Sequence, residues 1–366
     1  MTARNFQEEV VFMQEYDVVI AGSGPAGSTC AKALTDEGLS VLILEKEALP
    51  RYKNCSGVLF GQTQELIKSY FGVDAPAEVY CSNKYIEADD IREWDQIHGY
   101  VPYSWETDKD GRKFSRTYQN IWRNTFDKWL LDQSGAKYID SARVKAFDAS
   151  DSSVNVHVQM AQSKEPAVFK CKYLVGADGN ASTVRRLLQS AQTTGPAQGG
   201  KMASFQSYYK LVSLGSLQKD SWTVFLMPDI GDFILCVHQK GDYLVLHVGG
   251  KDGRNLRDSM EKFKELLSRQ FGVCLGEHWR DEGCKLDLLP VFLGEGRVLV
   301  TGEAAGFIYL NCEGISAAMD SGYRCGKAIA QTLKSGGKPA IDLYEEGCQD
   351  IRAHLEKCIS QMRFFA

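Results

Sequence analysis

Three glycines, Gly22, Gly24 and Gly27, stand in the run GSGPAG with Pro25 and Ala26 between them. That spacing suits one kind of chemistry, the binding of a pyrophosphate. Gly22 permits a tight turn, Gly24 lets backbone approach the pyrophosphate, and Gly27 lets a following helix pack close to a strand. The N-terminus of that helix then faces the phosphates with its partial positive charge. Glu45, followed by Lys46, lies 18 residues after Gly27. A carboxylate there accepts hydrogen bonds from an adenosine ribose. The glycines alone also suit a packing turn in an unrelated α/β domain, and they do not choose FAD over NAD.

The flanking residues supply the elements such a turn needs. YDVVIAG, Tyr16 to Gly22, is a short apolar run that predicts a buried strand. An alanine-rich helical stretch follows to Glu37, and SVLILEK, Ser40 to Lys46, predicts a second strand. Strand, turn, helix and strand open a parallel sheet. Residues 1–15 read as an extension. Gly61 to Phe71 has helical periodicity, as has Ile121 to Asp132 with Trp122, Phe126 and Trp129 on one face. Residues 80–120 read as strands and loops with a turn at Asp108 to Gly111. Three strands are expected between Ala136 and Ala177, the last being KYLVGADG. A strand-rich block covers 200–250, with turns at Asp229–Gly231 and Lys240–Gly241, and Ser259 to Phe271 is an amphipathic helix. RVLVTGEAAGF restores the pattern of buried strand, glycine turn and helix. Residues 338–362 read as a terminal helical region in which Cys348 and Cys358 are packed. The β-rich block is therefore expected to be inserted between pieces of one nucleotide-binding domain.

Composition narrows the classes. The chain has 366 residues, is 44% hydrophobic and 24% charged, and carries a net charge of −5. It has enough apolar residues for a sizeable core, which excludes a disordered chain. Mild acidity without a long basic patch speaks against nucleic-acid binding. The 11 cysteines are scattered without a CxxC pair and with no signal peptide before them, so a reducing, cytoplasmic setting is expected. No stretch reaches the roughly 18 apolar residues of a spanning helix, while peripheral membrane contact stays open.

Two further segments carry a resemblance. YLVGADGNASTVRR, Tyr173 to Arg186, resembles the aspartate-glycine motif of flavoproteins with the para-hydroxybenzoate hydroxylase fold. RVLVTGEAAGFIYLNCEGISAAMDSG, Arg297 to Gly322, resembles their second flavin motif. With the glycine turn, three motifs stand in order over residues 17–322. ALPRYKNCSGVLF, Ala48 to Phe60, is similar to the KxCGxG segment of the geranylgeranyl reductase family, relatives of the flavin-dependent halogenases. WRNTFDKWL resembles the arginine-bearing helix that lies beside the flavin. The resemblance implies an α/β fold: a Rossmann-like FAD-binding domain of the para-hydroxybenzoate hydroxylase type with an inserted β-rich substrate domain. The expected FAD-binding pieces are 16–75, 120–190 and 285–335, the substrate cap 76–119 and 191–284, and the C-terminal helical region 336–366.

The resemblance also implies roles for single residues. Gly302 and Glu303 would approach the flavin side of the cofactor, with Glu303, where the family has aspartate, bonding a ribityl hydroxyl. Gly314 and Ile315 would begin a helix whose N–H groups face the flavin pyrimidine edge and favour the reduced, anionic form. Arg123 would bridge phosphate or ribityl oxygens, and Asp178 would hold its strand crossing and support FAD indirectly. Cys55, in Lys53-Asn54-Cys55-Ser56-Gly57, would stand close to the flavin ring. Its thiol could donate the proton that completes reduction of a carbon–carbon double bond, with Lys53 lowering its pKa. Ser56 departs from the family's glycine. Ile308 to Gly314 reads one residue shorter than the family's proline-containing loop and contains Cys312, which could face the same ring as Cys55 as a second catalytic candidate, with a pairing of the two left open. Lys240 and Gly241 match a weaker family motif in which His238 takes an aromatic position, where it could titrate and act on substrate or serve as a sheet histidine.

The expected function is an FAD-dependent oxidoreductase that reduces a double bond in an unsaturated, apolar substrate. A flavin monooxygenase or halogenase is the alternative, followed by a dehydrogenase or oxidase and by a non-enzymatic FAD-binding protein. A halogenase is disfavoured because no WxWxIP segment occurs. No second GxGxxG follows the first, so electrons would come from transiently docked NAD(P)H or from a protein donor such as ferredoxin.

Overall fold

Val18, Val19 and Ile20 are fully buried, and so is the run Val41–Leu44. Continuous burial of β-branched and leucine residues is what a parallel strand covered on both faces requires. The computed structural model describes residues 12–87, 92–95, 99–102, 117–163, 166–190, 201–233, 235–309 and 313–362. In it the strand Phe12–Ala21 is central. It pairs parallel with Val41–Leu44 on one side, Val19 opposite Leu42, and with Ala167–Gly176 on the other, Val19 opposite Leu174. Val298–Val300 and Lys137–Ile139 extend the sheet in parallel, and Ala142–Ala149 and Val154–Met160 add an antiparallel branch.

The helices Pro25–Thr35 and Ile315–Ser335 cross in close contact because small residues line both. A Cβ on Gly322 would lie 2.2 Å from the Ala26 carbonyl oxygen, and one on Gly326 would lie 2.5 Å from that of Cys30. Gly322→Ala must therefore push the two helices apart. We expect it to cost about 1–3 kcal/mol of stability in denaturant titration, the usual penalty of overpacking.

A second sheet of seven strands has the order Cys274–Asp287, Lys201–Ser213, Tyr243–Lys251, Leu235–Lys240, Trp222–Leu226, Arg92–Asp95 and Gly99–Pro102. Helix Leu256–Phe271 closes one of its faces with Met260, Phe263 and Leu267 against Phe225, Leu244 and Leu246. A small third sheet joins Val58–Leu59, Thr117–Ile121 and Tyr80–Glu87. It anchors the segment that carries Cys55, since the Ile121 N–H donates to the Gly57 carbonyl at 2.8 Å.

Some expected boundaries move for identifiable reasons. The first strand starts at Phe12, because Phe12 and Glu15 already pair with Val168 and Lys170. The helix expected from Ile121 begins at Arg123, since Ile121 ends a paired strand. The helix expected from Ser259 begins at Leu256, where Asn255 accepts from the Asp258 N–H. The region 136–177 holds four strands rather than three, Lys137–Ile139 being the short one. The terminal region forms two helices, Ala340–Gly347 and Gln349–Met362, with Cys348 fully buried. The turn expected at Asp108–Gly111 lies outside the described residues, as does the side chain of Cys358.

Candidate active site

The first glycine turn is built as its spacing predicts. Gly22 has φ +106°, and a Cβ there would meet the Ala177 carbonyl oxygen at 2.3 Å. A Cβ on Gly27 would lie 2.0 Å from the Gly22 carbonyl oxygen. Gly24 differs, for its Cβ would meet only the Arg51 guanidinium, at 3.5 Å. Its backbone therefore faces open space, which is a cavity of about 870 Å³. Gly22, Gly24, Pro25, Ala26, Glu45 and Lys46 line this cavity, and so do Cys55, Ser56, Arg123, Asp178, Glu303, Gly314 and Ile315.

Glu45 is buried and does more than face a ribose. Its carboxylate accepts from the Ser23 hydroxyl at 2.7 Å, the Ser23 N–H at 3.1 Å and the Glu47 N–H at 3.1 Å. Arg51 Nε lies 3.2 Å away and continues to Asp127 at 3.3 Å, and Asp127 accepts two bonds from Arg123 at 2.9 Å. Glu45, Arg51, Asp127 and Arg123 thus form an alternating chain of charges from the glycine turn to the Cys55 loop. Burial pushes the Glu45 carboxyl up, but Arg51 and the Ser23 bonds outweigh it and hold the group below its ordinary range. A depressed folded-state pKa stabilises the fold above the unfolded value of about 4.3 and stops doing so as pH falls through the folded value. The stability gap between wild type and Glu45→Gln should therefore be full at pH 7 and shrink steadily in denaturant titrations run below about pH 4.3.

The Cys55 loop is held from below. Lys240, buried on the second sheet, donates from Nζ to the Ser56 carbonyl at 2.8 Å and to the Ile121 carbonyl at 2.5 Å. Its burial pulls the ammonium below its ordinary pKa. Gly57 takes φ +65°, and a Cβ there would also strike the Ile121 oxygen and Lys240, at 2.5 and 2.6 Å. His238 also reaches the Ser56 carbonyl, with Nε2 at 3.0 Å, and burial lowers its pKa well below the usual imidazole range. It is not among the cavity-lining residues and sits in its sheet under the Cys55 loop. The cation beside Cys55 is also not the one expected. Lys53 turns to Glu303, 3.2 Å away, and the Arg123 guanidinium is the cation whose charge the sulfur feels. Burial pulls the Arg123 guanidinium down, but Asp127 and then Cys55 more than compensate.

The second glycine segment is similarly tied. Gly302 has φ +63° and packs on Ala26. Arg185 is buried and donates to the carbonyls of Ala304 and Pro290 at 3.0 and 2.8 Å. Asp178 caps the helix Thr183–Ser190, accepting from the Ser182 hydroxyl and from the Thr183 N–H at 2.7 Å. At the start of Ile315–Ser335, Glu313 accepts from the Ile315 and Ser316 N–H groups at 3.0 and 2.9 Å. The Ile315 N–H expected to face a flavin is thus already engaged. Burial raises the Glu313 pKa. Cys312 and its pairing with Cys55 lie outside the described residues.

The second sheet supplies the facing wall with Ser204, Gln206, Cys236, His247 and Cys284, and Phe60, Trp222 and Phe233 add aromatic surface. The sequence reading passed over this wall, and over Arg51, Asn54 and Glu313. A phosphate-facing turn, a buried acidic partner and a cavity large enough for a cofactor together define a dinucleotide-binding site.

Comparison with known proteins makes the class specific. Residues 15–358 match the family model described as FAD binding domain, and the chain belongs to that family. It is 24% identical over 337 residues to an uncharacterized protein of Methanosarcina barkeri, covering 89% of this chain and 78% of the relative. Its fold is similar to a geranylgeranyl bacteriochlorophyll reductase-like protein from Thermoplasma acidophilum, with a TM-score of 0.76 and 18% identity over 96% of this chain and 88% of that one. It is also similar to aklavinone-11 hydroxylase, solved with FAD and aklavinone, with a TM-score of 0.74 and 18% identity over 97% of this chain and 70% of that one. The protein is an FAD-dependent oxidoreductase with the para-hydroxybenzoate hydroxylase-type architecture. The cradle fits FAD, since Gly24 leaves the space a pyrophosphate needs and Arg51 stands beside it. Among the described residues no helix is long and apolar enough to cross a membrane.

Proposed function

We propose that the cavity carries flavin monooxygenase chemistry, the hydroxylation of a small uncharged organic substrate. One observation carries this reading. A single cavity joins the glycine turn and Cys55 loop to a wall of the second sheet that carries aromatic and hydrogen-bonding side chains, so a substrate on that wall lies against the cofactor. Aklavinone-11 hydroxylase, solved with an organic substrate, shares the fold. FAD, when bound, supplies the redox chemistry. One atom of dioxygen enters the substrate and the other leaves as water, with two electrons from NAD(P)H or a protein donor such as ferredoxin.

The chain's residues bind and exclude water. We assign the Gly22–Gly27 turn and Arg51 to the pyrophosphate, Glu45 to the ribose, and Glu303 with Lys53 to the ribityl side. Residues 16–75, 120–190 and 285–335 would hold the cofactor, with 76–119 and 191–284 as cap and 336–366 as the terminal helical region. The main sheet supports this, drawing its strands from 12–44, 137–176 and 294–300, while the strand Cys274–Asp287 shifts the last junction to about residue 288. The test is incubation of reduced, FAD-loaded protein with a panel of aryl alcohols and ketones under ¹⁸O₂. Label in a product is expected, and product oxygen derived only from water would overturn the reading.

A second reading is favoured by Cys55 itself. Its thiol lines the cavity beside the Arg123 charge, so it could protonate a carbon as hydride adds to the neighbouring carbon of a double bond. Under that reading substrate is reduced without oxygen.

A further inference from the structure

The second-sheet wall carries a row of hydrogen-bonding side chains that the chemistry above does not use. Strand alternation and register create it. Gln206 stands opposite His247, which stands opposite Cys236, while Ser204, two residues from Gln206 and on the same face, stands opposite Cys284. Asn54, one residue before Cys55, closes the row from the loop.

The bonds are short and continuous. Ser204 Oγ lies 2.6 Å from His247 Nε2, and Asn54 Nδ2 donates to the same oxygen at 3.1 Å and to Cys284 Sγ at 3.0 Å. His247 Nδ1 lies 3.4 Å from Cys236 Sγ. Gln206 Nε2 donates to Asn54 Oδ1. The Gln206 side chain, 1% exposed and on the cavity wall, leaves its Oε1 without a partner. The row is therefore one hydrogen-bond donor short.

Enclosure of the His247 ring lowers its pKa to about 4, so the imidazole is neutral at pH 7, with one donor and one acceptor nitrogen. With the proton on Nε2, Ser204 Oγ accepts from both His247 and Asn54, and its own hydrogen is left for a ligand. With the proton on Nδ1, Ser204 donates to Nε2 and keeps a lone pair for a ligand. The pair meets either a carbonyl or a hydroxyl with no change of charge. Phe60 and Trp222 line the same cavity with ring centroids 5.5 Å apart and offer a face for a flat molecule.

We propose that Ser204, set by His247 and Asn54, is the specificity-determining contact for a hydroxyl or carbonyl oxygen on an uncharged aromatic substrate. The inference rests on the hydroxylation reading for the place of the substrate, and it narrows the substrate class by excluding a plain hydrocarbon.

Titration of FAD-loaded protein with 2-naphthol and with naphthalene, followed by the flavin absorbance change, tests it. Wild type should bind 2-naphthol about tenfold more tightly than naphthalene. Ser204→Ala should erase that preference, Ser204→Thr should keep it, and FAD content per chain should stay at the wild-type level in both. Equal binding of the two probes to wild type, no binding of 2-naphthol, or a preference that survives in Ser204→Ala would overturn the proposal. So would loss of FAD from Ser204→Ala, because the row would then serve the cofactor. An intact preference with no ¹⁸O in any product would overturn the hydroxylation reading and support the subsite.

Discussion

Gly24→Ala is expected to give a folded protein that has lost FAD. The three glycines of the turn differ in what a methyl group would meet. At Gly22 and Gly27 it would meet backbone oxygen at 2.3 and 2.0 Å, so those positions are needed by the fold itself. At Gly24 it would meet only the Arg51 guanidinium at 3.5 Å, an ordinary contact. The apoprotein should therefore melt close to wild type. The methyl group would instead fill the space through which backbone reaches the pyrophosphate. FAD affinity should fall by about 100-fold or more, equivalent to about 2.7 kcal/mol. Fluorescence titration of apoprotein with FAD measures this, and unchanged affinity in a folded variant would place the pyrophosphate elsewhere.

Asp127→Ala is expected to be the most destabilising single change in the site. Asp127 is 1% exposed and sits between two arginines, accepting from Arg123 twice and pairing with Arg51 Nη1 at 3.3 Å. Removing it leaves two guanidinium groups side by side in a buried setting with one carboxylate, Glu45, between the glycine turn and both of them. Breaking a buried pair in this way costs about 3–5 kcal/mol, because the remaining charge stays desolvated. Urea denaturation would show it, and Asp127→Asn should recover part of the loss by keeping one acceptor oxygen. A loss below about 1 kcal/mol would mean that the pair behaves as if exposed to solvent.

What the sequence disclosed follows from how local each feature is. The turn at Gly22–Gly27 was legible because strand, turn and helix are consecutive, and each glycine answers a contact within that unit. The helix Gly61–Phe71 was legible in full from its own periodicity. Arg51 was not, since its role depends on Glu45 and on Asp127, and Asp127 lies 76 residues further along the chain from Arg51. The cation beside Cys55 was misread for the same reason. Lys53 is nearer in sequence, but its side chain pairs with Glu303, and the charge felt at the sulfur comes from Arg123 on a distant helix. The wall of Ser204, Cys236 and His247 depends on the register of three strands, which hydrophobic alternation alone does not set. His238 shares a strand face with Cys236, yet lies further along it under the Ser56 carbonyl, a difference that no periodicity reveals.

The reaction assignment is tested most directly by the oxygen dependence of substrate-driven flavin reoxidation. Wild type and Cys55→Ser, both FAD-loaded and reduced with dithionite, would be mixed in a stopped-flow instrument with aryl alcohols and with alkenes. Each mixture would be run first without oxygen and then with it. Hydroxylation predicts no anaerobic reoxidation, substrate-dependent reoxidation once oxygen is present, and little difference between the two proteins. Anaerobic reoxidation by an alkene, slowed about 10²–10⁴-fold in Cys55→Ser as loss of a general acid would cause, would contradict hydroxylation and establish double-bond reduction with Cys55 as the proton donor.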